Sequence, residues 1–213
     1  MAPDARGGLF VSLEGIDGSG KSTQARRLAE TLRAAGRDVV LTREPGGSAG
    51  AEEIRRLVLT GEPDRWSPET EILLFTAARR DHLERTILPA LGRGAVVVTD
   101  RFADSTRVYQ GQARADLRAV VDRLHALVIG HEPDLTLVVD MDPRRALARG
   151  LARRSGEDRF EEMGLAFQER LRAGFLVLAA EAPGRVVLID GDRPEEAVAA
   201  DAAALVLSRL GGA

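Results

Sequence analysis

Five short stretches of the chain, 9–15, 38–44, 95–101, 135–141 and 185–191, each hold a continuous run of at least three apolar residues rather than apolar residues only at alternate positions. Runs of that kind are expected of strands covered on both faces. Between them apolar residues recur at helical spacing over 21–35, 48–91 in two pieces, 104–130, 143–181 with a break, and 193–210. Strands that alternate with helices require crossover connections, hence a parallel sheet: an α/β fold in a single domain. Punctuation agrees with this. Gly36 suits the C-terminal cap of the first helix, and Ser67-Pro68 reads as an N-cap followed by proline at the first helical position. No repeat, linker or low-complexity tract interrupts the pattern, and the Ala-rich tail 196–205 fits a surface helix.

Composition narrows the classes. The 213 residues, 44% of them hydrophobic and 30% charged, can bury one continuous core. A net charge of −3 argues against a protein that wraps a nucleic acid polymer. There is no cysteine, so disulfides, thiolate metal sites and cysteine nucleophiles drop out. The start of the chain lacks a charged-then-apolar leader pattern, and no apolar run approaches the roughly 20 residues of a membrane span. The expectation is a cytoplasmic protein with no membrane partner.

The first apolar run breaks into Gly15, Ile16, Asp17, Gly18, Ser19, Gly20, Lys21, Ser22 and Thr23, which satisfies G-x-x-x-x-G-K-[ST] between a predicted strand and a predicted helix. Glycines there let successive N–H groups surround phosphate oxygens, and the helix adds its positive end. Lys21 is the sole lysine; every other basic residue is arginine. A compact ammonium suits a phosphate-sized nest better than a broad guanidinium fork. Ser22 supplies a hydroxyl for Mg²⁺. A ligand-free glycine turn would leave the coincidence of strand, full motif and helix without a reason.

Such a loop serves hydrolases, switches and kinases alike, so the acceptor must be read from the other carboxyl ends of the strands. The second strand ends in Thr42-Arg43-Glu44-Pro45-Gly46-Gly47. The third ends in Asp100-Arg101-Phe102-Ala103-Asp104-Ser105-Thr106, followed by Tyr109-Gln110-Gly111. Arginine at both ends suits a second phosphorylated molecule, because a guanidinium grips phosphate bidentately; an ordinary surface ion pair is the plainer reading of each. Asp100, after "VVVT", has the placement of a carboxylate that holds Mg²⁺ through water, and Asp140, after "LTLVV", competes for it; Arg101 and the polar segment behind Asp100 favour the former. Phe75 and Arg79, four apart, share a helical face, and on periodicity alone Phe75 reads as core.

Taken together these motifs resemble the thymidylate kinase family: its EGxDGxGKST at 14–23, its TREPGG at 42–47, and its DRYxDSSxAYQG close to 100–111, with Phe102, Thr106 and Val108 as mild departures. The resemblance runs from residue 9 to about 191. It implies a three-layer P-loop kinase fold with a five-stranded parallel sheet, ATP and dTMP as substrates, Mg²⁺, and a homodimer. It further implies that Asp17 meets the 3′-hydroxyl of the acceptor sugar and that Arg43 and Arg101 hold its phosphate. Phe75 would stack on thymine and Arg79 bond a base carbonyl. Ser105, Thr106, Tyr109 and Gln110 would complete the nucleoside pocket, Tyr109 guarding against a ribose 2′-hydroxyl. Glu44-Pro45 would be a cis bond shaping the phosphate site.

The segment 148–162 carries Arg149, Arg153, Arg154 and Arg159 around a glycine-containing break. A solvated charged helix is the plain reading; the resemblance makes it the lid over ATP. Since Gly18-Ser19-Gly20 holds no arginine, the transition-state arginine is expected from this lid, as in the bacterial type, with Arg153 first and Arg149 second. Rival functions are another nucleoside monophosphate kinase and a nucleotide-dependent ATPase that works through partner proteins. His82, His125 and His131 lack metal-ligand spacing and are expected at surface or helix-end positions.

Overall fold

The computed structural model describes residues 8–62, 65–113, 115–153 and 164–211. Each predicted strand forms, within a residue or two of its expected ends: β1 Leu9–Glu14, β2 Val39–Arg43, β3 Val96–Asp100, β4 Leu135–Asp140 and β5 Val186–Asp190. They pair in the order β2-β3-β1-β4-β5, parallel throughout. β1 therefore lies at the centre, and Phe10, Val11 and Leu13 are fully buried.

Side chains alternate across a strand, so a run apolar at every position needs cover on both sides. Val11 and Leu13 face α1 (Lys21–Ala34) and α9 (Glu195–Gly211), packing with Leu28, Leu32, Val198 and Val206. Phe10 faces the other way, among Leu83, Ile87 and Phe102. Farther along that side, Val138 and Val186 meet Phe175 and Leu178 of α8 (Leu165–Glu181). Helices on both faces make the three layers. Among the described residues no helix is long and apolar enough to cross a membrane.

The stretch 48–91 resolves into three helices rather than two: α2 Ala49–Leu59, α3 Pro68–His82 and α4 Leu88–Gly92, the last two joined by a widened π turn at Leu83–Ile87. Pro89 has no N–H to give to a regular ladder, and the wide turn passes the chain through it. α5 (Ala103–Ala113) and α6 (Ala115–Leu124) follow β3, and α6 runs into a second π turn, His125–Ile129, closed by Gly130 at φ 59°. The caps form as expected. Ser67 Oγ accepts from Thr70 N at 3.2 Å, and Gly36 adopts φ 79° behind α1. α7 spans Pro143–Arg153. The rest of the expected lid, 154–162 with Arg154 and Arg159, lies outside the described residues, as does the Arg153 side chain.

In the sheet register Leu13 and Arg43 both stand level with Asp100. The carboxyl ends of β1, β2 and β3 thus open onto one edge, where the chemistry collects.

Candidate active site

β1 hands over to the glycine loop, and steric limits explain its composition. Gly15 and Gly18 adopt φ 137° and 83°, which side-chain-bearing residues avoid. A Cβ on Gly15 would lie 2.7 Å from the Val139 carbonyl oxygen, and one on Gly18 only 1.9 Å from that of Ala146. Ser19 N donates to Ile16 O at 3.2 Å and closes the turn. α1 then begins with no side-chain cap and no acidic residue in its first turn, leaving its N–H groups and dipole to an anion. Lys21 is buried; its Nζ lies 3.3 Å from Ile16 O and 3.5 Å from Asp17 Oδ1. Burial, then the nearby Arg101 charge, pulls its pKa down against the pull of Asp17 and Asp100. Ser22 is exposed beside it and Thr23 is half-buried.

Arg101 follows β3 at φ 72°, the one non-glycine in the left-handed region among the described residues. Such a conformation persists only where surroundings over-determine it. Here Arg101 N donates to Leu13 O at 2.9 Å, Thr99 Oγ1 donates to Arg101 O at 2.9 Å, and Phe102 N donates to Glu14 Oε1 at 2.8 Å. The guanidinium reaches Ser105 Oγ at 2.7 Å and the Tyr109 hydroxyl at 3.0 Å, and it pairs with Asp17. Tyr109 OH in turn donates to Asp17 Oδ2 at 2.7 Å. Burial raises the Asp17 pKa, but Arg101, then Lys21 and the Tyr109 hydroxyl outweigh it and hold the carboxyl at about 2. Burial pushes the Tyr109 phenol up.

These groups form one wall of an open cleft. Pro45, Arg55, Phe75, Arg79, Thr106 and Gln110 line the rest with Glu44 and Phe102. Phe75 is half-buried on this wall, not in the core that periodicity suggested. Arg79 Nε donates to Glu44 Oε2 at 2.7 Å, while Nη2 donates to Thr106 Oγ1 at 3.0 Å and Phe102 O at 3.2 Å. Gln110 Nε2 lies 3.4 Å from Glu71 Oε2. The Glu44-Pro45 bond is cis.

Arg43 stands apart. It is exposed, pairs with Glu52 at 3.1 Å, and does not line the cleft. Arg55, midway along α2, lines it instead and donates from Nη1 to Pro45 O at 2.6 Å. Nothing in the sequence separates Arg55 from its neighbour Arg56 until the position of α2 is known. Glu14, the first residue of the motif at 14–23, carries no sign of its role in the sequence, since it ends an apolar run with no charged partner nearby. It is fully buried, accepts from Phe102 N and from Ser105 Oγ at 2.5 Å, and is pushed up to about 7 by burial and Asp104. His82 ends α3 as expected but is fully buried rather than at the surface, and His125 is buried too.

A second cavity lies on the far side of the loop, lined by Ser19, Gly20, Thr23, Gln24, Val139, Arg149, Gly191 and Arg193. Asp140 and Asp100 differ sharply. Asp140 is consumed by a bidentate pair with Arg172 at 2.6 and 2.8 Å. Asp100 Oδ1 is buried with no hydrogen-bond partner. Among the described residues no group of three His, Asp or Glu side chains could hold a metal by itself.

One glycine loop between two basins, with Asp17 facing one and Ser19 to Thr23 facing the other, is built to set two phosphorylated ligands against each other. That is the architecture of a P-loop nucleotide kinase. The thymidylate kinase family model matches residues 13–202. A thymidylate kinase from Dinoroseobacter shibae is 73% identical over 194 residues, covering 91% of this chain and 94% of that protein. One from Ruegeria pomeroyi is 70% identical over 203 residues, covering 95% and 96%. The crystal structure of thymidylate kinase from Ehrlichia chaffeensis superposes with a TM-score of 0.71 at 36% identity, covering 86% of this chain and 93% of that one. The chain belongs to the thymidylate kinase family.

Proposed function

We propose that this chain transfers the γ-phosphoryl group of MgATP directly to the phosphate of dTMP, the acceptor occupying the Phe75–Arg101 cleft and the donor the glycine loop and second cavity. The overall reaction, phosphorylation of dTMP to dTDP in the synthesis of dTTP, follows from family membership. The observation that carries the assignment of sides is the left-handed Arg101, held at the junction of loop and cleft by contacts to Ser105, Tyr109 and Asp17.

An acceptor phosphate oxygen attacks the γ-phosphorus in line as the bond to the β–γ bridging oxygen breaks and ADP leaves. The attacking oxygen is already anionic, so no strong general base or covalent intermediate is needed. The work of the chain is positioning and charge neutralisation. Lys21 is the cation for the donor's outer phosphates. Arg101 and Arg55 grip the acceptor phosphate, and Arg43 reaches that site only through Glu52, which accepts from Gly47 N at 3.0 Å. Phe75 supplies a face for the pyrimidine, Arg79 a donor to a base carbonyl, and Asp17 an acceptor for the sugar 3′-hydroxyl beside Tyr109. Ser105, Thr106 and Gln110 complete the pocket. Arg153, with Arg149 second, brings the transition-state charge from the end of α7.

Mg²⁺ fits the residues present: the partnerless Asp100 Oδ1 and the exposed Ser22 hydroxyl are hard oxygen donors beside the loop. Bound there it would neutralise charge on the phosphates being separated. We place the reaction in the cytoplasm and the active form as a homodimer, which light scattering tests. For the reaction, ADP release with ATP and a panel of dTMP, dUMP, dCMP and dGMP is expected to be fast with dTMP. Fast release without an acceptor, or preference for another monophosphate, would overturn this reading.

A further inference from the structure

His82 lies three residues after Arg79 on α3, is fully buried, and has no part in the mechanism above. Its Nδ1 lies 3.0 Å from Glu44 Oε1, and its Nε2 lies 2.7 Å from Thr42 Oγ1. The other oxygen of Glu44 receives Arg79 Nε at 2.7 Å. Paired with Arg79, the Glu44 carboxylate can only accept, so Nδ1 carries a proton and donates. In the neutral ring Nε2 then accepts from the Thr42 hydroxyl. Thr42, His82, Glu44 and Arg79 thereby form one hydrogen-bonded row, which ends on the cleft wall.

The packing leaves the ring no freedom. A Cβ on Gly47 would lie 2.4 Å from both His82 Nε2 and Thr42 Oγ1, so the glycine backbone is pressed against the bond between them. Gly47 is itself tied to the π turn after α3, its carbonyl accepting from Thr86 Oγ1 at 2.7 Å. One residue before His82, Asp81 accepts from Ser48 Oγ at 2.6 Å and Ala51 N at 3.2 Å. The end of α3 is therefore fastened to the loop that carries Glu44 and Pro45 at three successive places.

We propose that His82 is a positioning residue for base selection: through Glu44 it fixes the Arg79 guanidinium in the orientation that meets the acceptor pyrimidine. The inference rests on the reading of Arg79 as the donor to a base carbonyl. A buried, doubly held carboxylate sets both the place and the plane of a guanidinium, and loosening one of its two supports lets the fork turn.

The test uses purified His82→Gln, His82→Asn, Thr42→Val and Arg79→Gln, assayed with dTMP, with dCMP, which carries an amino group in place of one carbonyl, and with varied ATP. His82→Gln loses the donor to Glu44. It is expected to lower kcat/KM for dTMP about tenfold, the scale of one hydrogen bond to a charged group, and to narrow the dTMP-over-dCMP preference while KM for ATP stays within about twofold. His82→Asn, whose amide can stand in for Nδ1, is expected to recover most of the loss. Thr42→Val keeps the ring and frees Nε2; it should show the same pattern at about threefold, and it decides the matter if His82→Gln does not fold. A folded His82→Gln or Thr42→Val with unchanged dTMP preference overturns the inference. So do equal losses for dTMP and ATP in both His82 variants, the mark of a merely structural role. If Arg79→Gln narrows the preference and the His82 and Thr42 variants do not, only the relay falls. If Arg79→Gln leaves it intact, the reading of Arg79 falls and the inference with it.

Discussion

Arg101 and Asp17 are in direct ionic contact across the junction of the glycine loop and the acceptor cleft, although one follows β3 and the other β1. The Tyr109 hydroxyl bridges them, donating to Asp17 and accepting from Arg101. Three elements distant in sequence thus depend on one carboxylate remaining charged.

That dependence has a pH signature. Asp17 ionises near 2 in the folded chain against 3.8 ordinarily, so its ion pairs stabilise the fold fully above about pH 4 and lose that contribution as pH falls toward 2. The stability advantage of wild type over Asp17→Asn, from urea titrations, is expected to shrink by about 2 kcal/mol across that window. A difference that stays constant with pH would show that the pairing contributes nothing.

Gly18→Ala is expected to destabilise the chain by about 2 kcal/mol or more and to abolish ATP binding, since the added methyl meets the Ala146 carbonyl and φ 83° is strained for alanine. Thermal melting and equilibrium dialysis with ATP check the two effects separately. Gly36→Ala, with no heavy atom within 4 Å of its Cβ, isolates the conformational cost from the clash.

Phe75→Ala should raise KM for dTMP about tenfold, the scale of one ring stacked on a base, and leave KM for ATP unchanged. Equal losses for both substrates would return Phe75 to a packing role.

Arg153→Ala is expected to lower kcat at least about tenfold with little change in dTMP affinity, as for a charge used only in the transition state. Arg149 lines the second cavity, and its Nη2 lies 3.5 Å from a Cβ built on Gly20. Arg149→Ala should act on KM for ATP more than on kcat. The reverse ranking in steady-state assays would exchange their roles.

The sheet was legible because a parallel strand buried on both faces leaves an unbroken apolar run, as at Val96 to Val98. The glycine loop was legible because sterics at Gly15 and Gly18 permit so few residues. Less could be read where chemistry depends on how elements sit against one another. Arg43, last in β2, turns out to Glu52, whereas Arg55 reaches the cleft because α2 folds back over the Pro45 loop. His82 looks like an ordinary polar residue at a helix end; its burial arises from Thr42, Glu44 and Gly47, some forty residues upstream. Glu14 likewise gains its partners, Phe102 N and Ser105, only once β3 is laid beside β1.

Adjacency of β1 and β3 has a corollary for specificity. Neighbouring strands keep a separation of about 4.8 Å, so the placement of the loop relative to Arg101 is set by the backbone hydrogen bonds between β1 and β3. Phe75 and Arg79, by contrast, ride on a helix outside the sheet. On the proposed reading of the cleft, substitutions in α3 would alter base preference and leave the phosphoryl-transfer groups in place.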